Sequence, residues 1–316
     1  MTGVYRKRER GAALLSILMI VAVMSIAALA AVESLGRSVA LARLSDERSQ
    51  ILWAAHSAEA VASQSVLQVE TLGRQAFGKP AVFPLERGVI VAALSDDSNC
   101  FNLNSLGGDA GGPAAHDIYK RLLVHSGILP GDAQRLADTA ADWIDGDEET
   151  RAYGAEADTY RRRPVPYRTS NRLMENISEL RAVEGYEPGI LRRISENICV
   201  RPDTNQPALN IETLKHSNAP LLAALLSEVL TLEEAEVIIR GRPVSGWGSV
   251  GAFLGLDTIS QIAPESLNEA ILSVRSGYVR LDADISVGSA REKIALIYKT
   301  DTPGSAILVE RRMGAF

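Results

Sequence analysis

An uninterrupted apolar run stands near the start of the chain. From Ala12 to Val32 no side chain is charged: AALLSILMIVAVMSIAALAAV. At about 1.5 Å of helical rise per residue, such a run spans the roughly 30 Å hydrocarbon layer of a bilayer. The helical signal continues past Glu33. Leu41, Leu44, Ile51, Leu52, Ala55, Ala58, Ala62, Val66, Val69 and Leu72 recur mainly at spacings of three, four or seven, an amphipathic stripe. No proline precedes Pro80, and Gly73, Gly78 and Pro80 supply stop signals. The pattern predicts one helix over 12–72, about 90 Å long. Its first third would lie in lipid, and its remaining stripe would pack on a soluble domain.

Val89–Leu94 reads as a strand. The glycine-rich GGDAGG at 107–112 marks a boundary. Helices are expected over Asp117–Ser126, Pro130–Ile144, Asn171–Val183 and Pro188–Ser195. NICVRP at 197–202 then reads as a returning strand. A second helical unit follows, with a helix from about Ala219. Another opens at Thr231 with Glu234 three residues later, the capping-box spacing. The two helical units are alike in plan. YVRLDADISV, EKIALIYKT and SAILVERRM alternate with period two and predict a three-stranded antiparallel meander. The expected class is α+β. Its divisions are a membrane helix at 12–36, an amphipathic helix with first strands at 37–105 and an inserted α-helical domain at 106–196. Returning strands at 197–212, a second helical module at 213–272 and the meander at 273–316 complete it.

Composition narrows the function. Hydrophobic residues are 46% and charged residues 23%, which excludes a disordered or collagen-like chain. A net charge of −6 argues against nucleic acid, which favours basic domains. Two cysteines exclude a disulfide-dense scaffold and a four-cysteine zinc site. His56, His116, His125 and His216 are scattered, with no HExxH, GxSxG or P-loop, so no catalytic set is assigned. Arg6, Lys7, Arg8 and Arg10 before the apolar run predict a cytoplasmic N-terminus. Three readings of that region stand. It is a secretory signal cut near Ala27–Ala31, a plain single-pass anchor, or a leader removed while the apolar helix is kept.

Gly11 lies between the basic leader and the apolar run. This arrangement resembles the prepilin-type leader of type IV pilins and type II secretion pseudopilins. The resemblance implies cleavage after Gly11 by a prepilin peptidase, leaving a chain that begins at Ala12. The fifth mature residue is then Ser16, where most of that family has Glu. A hydroxyl there carries no charge to bury and cannot neutralise a neighbour's N-terminus, which suits a subunit at a filament end. The chain as a whole resembles the K-type minor pseudopilin. The resemblance rests on NLN (102–104), DWID (142–145), GAE (154–156), Asn171 after a Tyr/Pro-rich loop, and SELRAVEG (178–185), in that order. It implies a pilin-like long helix on an antiparallel sheet with a large helical insertion. It also implies a structural role at the tip of the type II secretion pseudopilus, in export of folded proteins. The implied partners are other minor pseudopilins, the prepilin peptidase and the inner-membrane secretion platform. The implied location is the bacterial inner membrane, with the main domain periplasmic.

The densest acidic stretch is DWIDGDEETRAYGAEAD at 142–158. It offers hard oxygen ligands at loop spacing, although Thr150 stands where an EF-hand needs glycine. The K-type resemblance implies Ca²⁺ in the inserted domain. The candidate ligands are Asp145, Asp147, Glu156 and Asp158, with Asp142 and Glu149 secondary. The alternative is a solvated acidic loop balanced by Arg161, Arg162 and Arg163. Cys100 and Cys199 lie at the edges of the inserted domain. If those edges meet at a neck, the two form a disulfide worth up to about 4–5 kcal/mol. Otherwise they are separate buried thiols. A second functional reading is a membrane-anchored nucleic-acid binder, because LPGDAQRLADTAADWI and LTLEEAEVIIRGR are laid out like helix-hairpin-helix units. Their acidic hairpins oppose phosphate binding.

Overall fold

A computed structural model describes residues 5–107, 112–262 and 264–314. The first four leader residues and 108–111 of the glycine-rich boundary lie outside the described residues. Helix α1 runs unbroken over Tyr5–Leu72, 68 residues. From residue 13 to residue 46 it is exposed on every side, and this part is long and apolar enough to cross a membrane. Its C-terminal half lies across a sheet.

The expected stripe is only partly the buried one. Ile51, Ala54, Ala55, Ala58, Ala62, Val66 and Val69 are buried, whereas Leu41, Leu44, Leu52 and Leu72 are exposed. Ala58 and Ala62 let the helix backbone approach the sheet closely, and larger residues would hold it off. Leu41 and Leu44 precede the stretch that reaches the sheet. Carboxylates tie α1 down at both ends of the contact. Asp46 pairs with Arg87 at 3.1 Å and Glu47 accepts from Ser289 Oγ at 2.8 Å. Glu70 accepts from the Gly304 amide at 3.1 Å.

Strands β1 (Ala81–Leu85) and β2 (Gly88–Asp96) form a hairpin. The sequence pattern singles out Val89–Leu94 alone as a strand here, and β1, with Pro84 inside it, is an addition to it. It is an edge strand, where a missing amide costs no ladder bond. The chain then leaves the sheet. Two-residue β3 (Phe101–Asn102) leads to helices α2 (Gly112–His125), α3 (Pro130–Ile144), α4 (Ala157–Arg161) and α5 (Pro188–Ile194). Two-residue β4 (Ile198–Cys199) and β5 (Leu209–Asn210) follow, then α6 (Ala219–Leu226) and α7 (Leu232–Arg240). Short α8 (Val250–Leu254), α9 (Asp257–Ser260) and β6 (Leu272–Ser273) complete the excursion. Strands β7 (Tyr278–Val287), β8 (Ala290–Lys299) and β9 (Ile307–Met313) are the expected meander. The sheet order is β1-β2-β7-β8-β9, antiparallel throughout. β2 and β7 are therefore neighbours, with Asp96 opposite Val279. Everything between them is one insertion whose ends meet.

Two hydrophobic cores follow from this topology. One lies between α1 and the sheet, with Val279, Leu281, Ile285, Ile294 and Leu296 facing the helix. The other fills the insertion, where Phe101, Tyr119, Leu136, Leu222 and Phe253 belong to a single cluster. The two helical units that look separate in sequence thus share one core. The returning segment NICVRP does not join the main sheet, since β4 pairs in parallel with β3 alone.

The expected helix over Asn171–Val183 is absent. Asn171 has a left-handed backbone, φ 46°, and only a single 3₁₀ turn forms at Ile177–Arg181. The cause is Asn104. Its side chain accepts from the Met174 amide at 2.8 Å and donates to the Met174 carbonyl at 2.9 Å, removing both groups from a helix. Asn104 also donates to the Arg201 carbonyl at 2.7 Å and is fully buried. Replacing it with Leu would strand three backbone groups, so Asn104→Leu should destabilise the chain by about 2–4 kcal/mol. Thermal unfolding measures this, and an unchanged midpoint would show that this contact carries no stability.

Candidate metal centre

Helix α3 presents Asp138 and Asp142 four positions apart, hence on one face, and Asp145 is the extended residue that caps its C-terminus. The loop that follows folds back over that face. The Tyr153 amide donates to Asp138 Oδ2 at 3.1 Å, and Asp138 Oδ1 contacts His116 Nε2 at 2.7 Å. The Arg151 amide donates to Asp142 Oδ2 at 3.2 Å. Gly154 permits this fold, because a Cβ there would lie 1.9 Å from Asp142 Oδ2. Asp147 Oδ1 accepts from the Glu149 amide at 2.8 Å, which turns the chain. Glu156 caps α4 and is only 4% exposed.

One carboxylate oxygen each from Asp145, Asp147 and Glu156 converges within 4.8 Å. Asp145 Oδ1 and Glu156 Oε1 are buried without a hydrogen-bond donor. So is Asn171 Oδ1, whose amide nitrogen donates to the Asp147 carbonyl at 2.8 Å. Buried acceptors without donors are rare and mark a missing partner. The structure does not bring Asp158 to this group. Asp158 lies on the exposed side of α4 and pairs with Arg161 at 2.7 Å. Glu149 is exposed and contributes only its amide, while Asp142 is fully buried and bonded to Arg151. Asn171 is the residue that sequence spacing does not assign here. It stands 24 positions from Asp147, and only its left-handed backbone carries it over.

The electrostatics fit a cation. Burial, then the Asp142 charge, pushes the Glu156 carboxyl up to about 7. Burial likewise raises Asp142, against the opposing bonds from Arg151. The candidate ligand atoms are all oxygen, the kind that Ca²⁺ takes, with none of the Cys or His that structural zinc sites are built from. The six to eight ligands typical of Ca²⁺ would be completed by backbone carbonyls and water.

The remaining candidate residues are also placed. Cys100 and Cys199 are disulfide-bonded with Cα atoms 5.6 Å apart, at the neck where β3 meets β4. Gly11, Ala12 and Ser16 all fall within α1, so the leader from Tyr5 onward is continuous with the apolar helix.

The comparisons with known proteins bear on the whole chain. Two family profiles, both described as "Type II secretion system (T2SS), protein K", match residues 99–203 and 209–275. The type II secretion system protein K of Pectobacterium carotovorum is 32% identical over 302 residues, 90% of each chain. That of Klebsiella pneumoniae is 31% identical over 98% of each. The chain belongs to the type II secretion system protein K family. A chain in the crystal structure of the GspK-GspI-GspJ complex from enterotoxigenic Escherichia coli superposes with a TM-score of 0.75 at 26% identity. It covers 87% of this chain and 99% of its own. Protein K is a minor pseudopilin, a structural component of secretion, and the nucleic-acid reading finds no support. The first profile opens beside Cys100 and closes just past Cys199, so the disulfide joins the two ends of the matched segment.

The Glu156 shift has a measurable sign. Its folded value, about 7, lies above the ordinary 4.5, so the folded state holds this proton more tightly. The stability it confers is complete below 4.5 and is lost as pH rises towards about 7. In chelator, the unfolding midpoint should fall across that window, and Glu156→Gln should flatten the fall. A wild-type profile equally flat would show that Glu156 titrates normally.

Proposed function

We propose that this chain is the capping subunit of a type II pseudopilus, held in the inner membrane by α1 until assembly. One observation carries the reading. The insertion sits at the end of the sheet remote from the apolar half of α1. Asp46 and Glu47 meet the β1–β2 and β7–β8 turns, whereas Glu70 lies beside Arg275 at 3.4 Å, where the insertion rejoins the sheet. A subunit embedded at one end and bulky at the other accepts neighbours below it and obstructs addition above. Ser16 agrees with that place, because a hydroxyl cannot neutralise a neighbour's amino terminus, and a subunit at the filament end has no such terminus to pair with.

The solved relative is a complex with GspI and GspJ. The corresponding minor pseudopilins are the partners we infer for this chain. The basic leader predicts a cytoplasmic N-terminus and a periplasmic main domain. A prepilin peptidase would cut after Gly11. Such a leader is read by intact mass and N-terminal fragments of protein from native membranes. The expected chain begins at Ala12. A start at Met1 or near Val32 would overturn assembly by this route.

Asp145, Asp147 and Glu156, with Asn171, would hold Ca²⁺ and lock the loop against α3. The support is the set of donorless buried oxygens. Calorimetric titration of the full chain in detergent should show Ca²⁺ binding. Glu156→Gln and Asp145→Asn should each weaken it more than about tenfold, the loss typical of removing even a supporting partner. Asp158→Asn should leave it unchanged. Equal loss from Asp158→Asn would move the site towards α4.

A further inference from the structure

The acidic loop contains its own cation. Arg151 Nη1 donates to Asp142 Oδ1 at 2.6 Å and also to Asp145 Oδ2. Its backbone amide donates to Asp142 as well. Asp145 is therefore two-sided. One oxygen faces the guanidinium, and the other, Oδ1, is buried without a donor. Glu156, more than nine-tenths buried, likewise keeps Oε1 without a partner. An acidic cluster with such vacant acceptors wants positive charge. One side of it already has some.

We propose that Arg151 is a resident counter-ion: it keeps the acidic loop folded when no divalent cation is bound, and it competes with that cation for Asp145. This rests on the reading of the loop as a divalent-cation site. The argument is electrostatic. Asp142 is fully buried, and a buried carboxylate without a counter-charge is strongly destabilising. Arg151 supplies that charge and, through Asp145, draws the start of the loop onto α3. A bound divalent ion does the second task better, since it takes Asp145, Asp147 and Glu156 together. While the guanidinium holds Asp145 Oδ2, however, only Oδ1 is free for the ion, and the two cations repel. Bidentate binding by Asp145 requires the arginine to let go. The Arg151 side chain is 37% exposed, so it has water to swing into. The loop therefore has two states of similar shape, one held by arginine and one by metal. The arginine raises the ion concentration at which they exchange.

The test uses the full chain in detergent with CaCl₂ as the probe, by calorimetric titration and by thermal unfolding with and without EDTA. Arg151→Gln should bind Ca²⁺ about tenfold more tightly than the wild type, because ligand charge sets affinity in such sites. Its unfolding midpoint should drop in EDTA and recover with Ca²⁺, a larger swing than in the wild type. Because Arg151→Gln leaves Asp142 uncompensated, the double variant Asp142→Asn/Arg151→Gln is measured beside it. The double variant keeps a polar pair without the charges and should still bind several-fold more tightly than the wild type. Unchanged or weaker binding by the double variant, with the wild type binding normally, overturns the competition and leaves the metal site standing. Absence of Ca²⁺ binding by the wild type overturns both.

Discussion

The neck is the constraint on which the rest depends. A single sheet is interrupted between two adjacent strands, and the strands must still pair. That demands that the two ends of the insertion lie side by side, and buried polar contacts hold them so. Ser98 bonds Tyr278 through both the backbone amide and carbonyl. Asp96 gathers Asn210, Thr213 and Ser276 on one carboxylate oxygen. Arg201, 2% exposed, pairs with Asp97 and lies over the Tyr278 ring at 4.2 Å. Such a network specifies one arrangement, because every partial substitute leaves a buried polar group unpaired. The disulfide lies in the same region. Its entropic effect is to shorten the loop that the unfolded chain must close.

The acidic site repeats this logic at smaller scale. A loop leaves the end of α3, folds back on the same helix and is held by carboxylates on that helix. The fold-back needs a glycine at 154 for clearance and an asparagine at 171 that tolerates a left-handed backbone. The site is thus made by the C-cap of α3, the loop after it and the N-cap of α4, and is positioned by two residues that carry no charge. Its rigidity comes from the insertion core beneath it, where Trp143 packs edge to face against Tyr160 and Tyr167.

Much of this was legible in order along the chain. Helix α3 and the capping box at Thr231 follow from local rules, since Pro130 and the Thr231–Glu234 pair act within one turn. The meander follows from period two. The Cys100–Cys199 bridge, 99 positions apart, was legible because its two cysteines flank the insertion, but other features decided by a distant partner were not. Asn171–Val183 has helical spacing, yet Asn104, 70 positions away, claims its backbone. Strand β1 contains a proline that only its edge position excuses. Asp158 belongs to the acidic run in sequence but lies on the far side of α4, since a helix starts between it and Glu156. Asn171 is invisible as a candidate ligand for the same reason in reverse.

The nesting of the insertion also sets a schedule for synthesis. Ser98 and Tyr278, which meet at the neck, are 180 residues apart. The ribosome adds about 5–20 residues per second, so β2 waits roughly ten seconds or longer for the strand that covers it. During that interval the β1–β2 hairpin is half a sheet with an open edge, and open edges recruit wrong partners. Because the insertion has its own core, it can fold in the meantime and bring its ends together before β7 arrives. The late strand then docks against a preformed neighbour and pays no long loop closure. A nascent chain of this shape gains from being fixed to a membrane by its first helix, which keeps unfinished edges on separate copies apart.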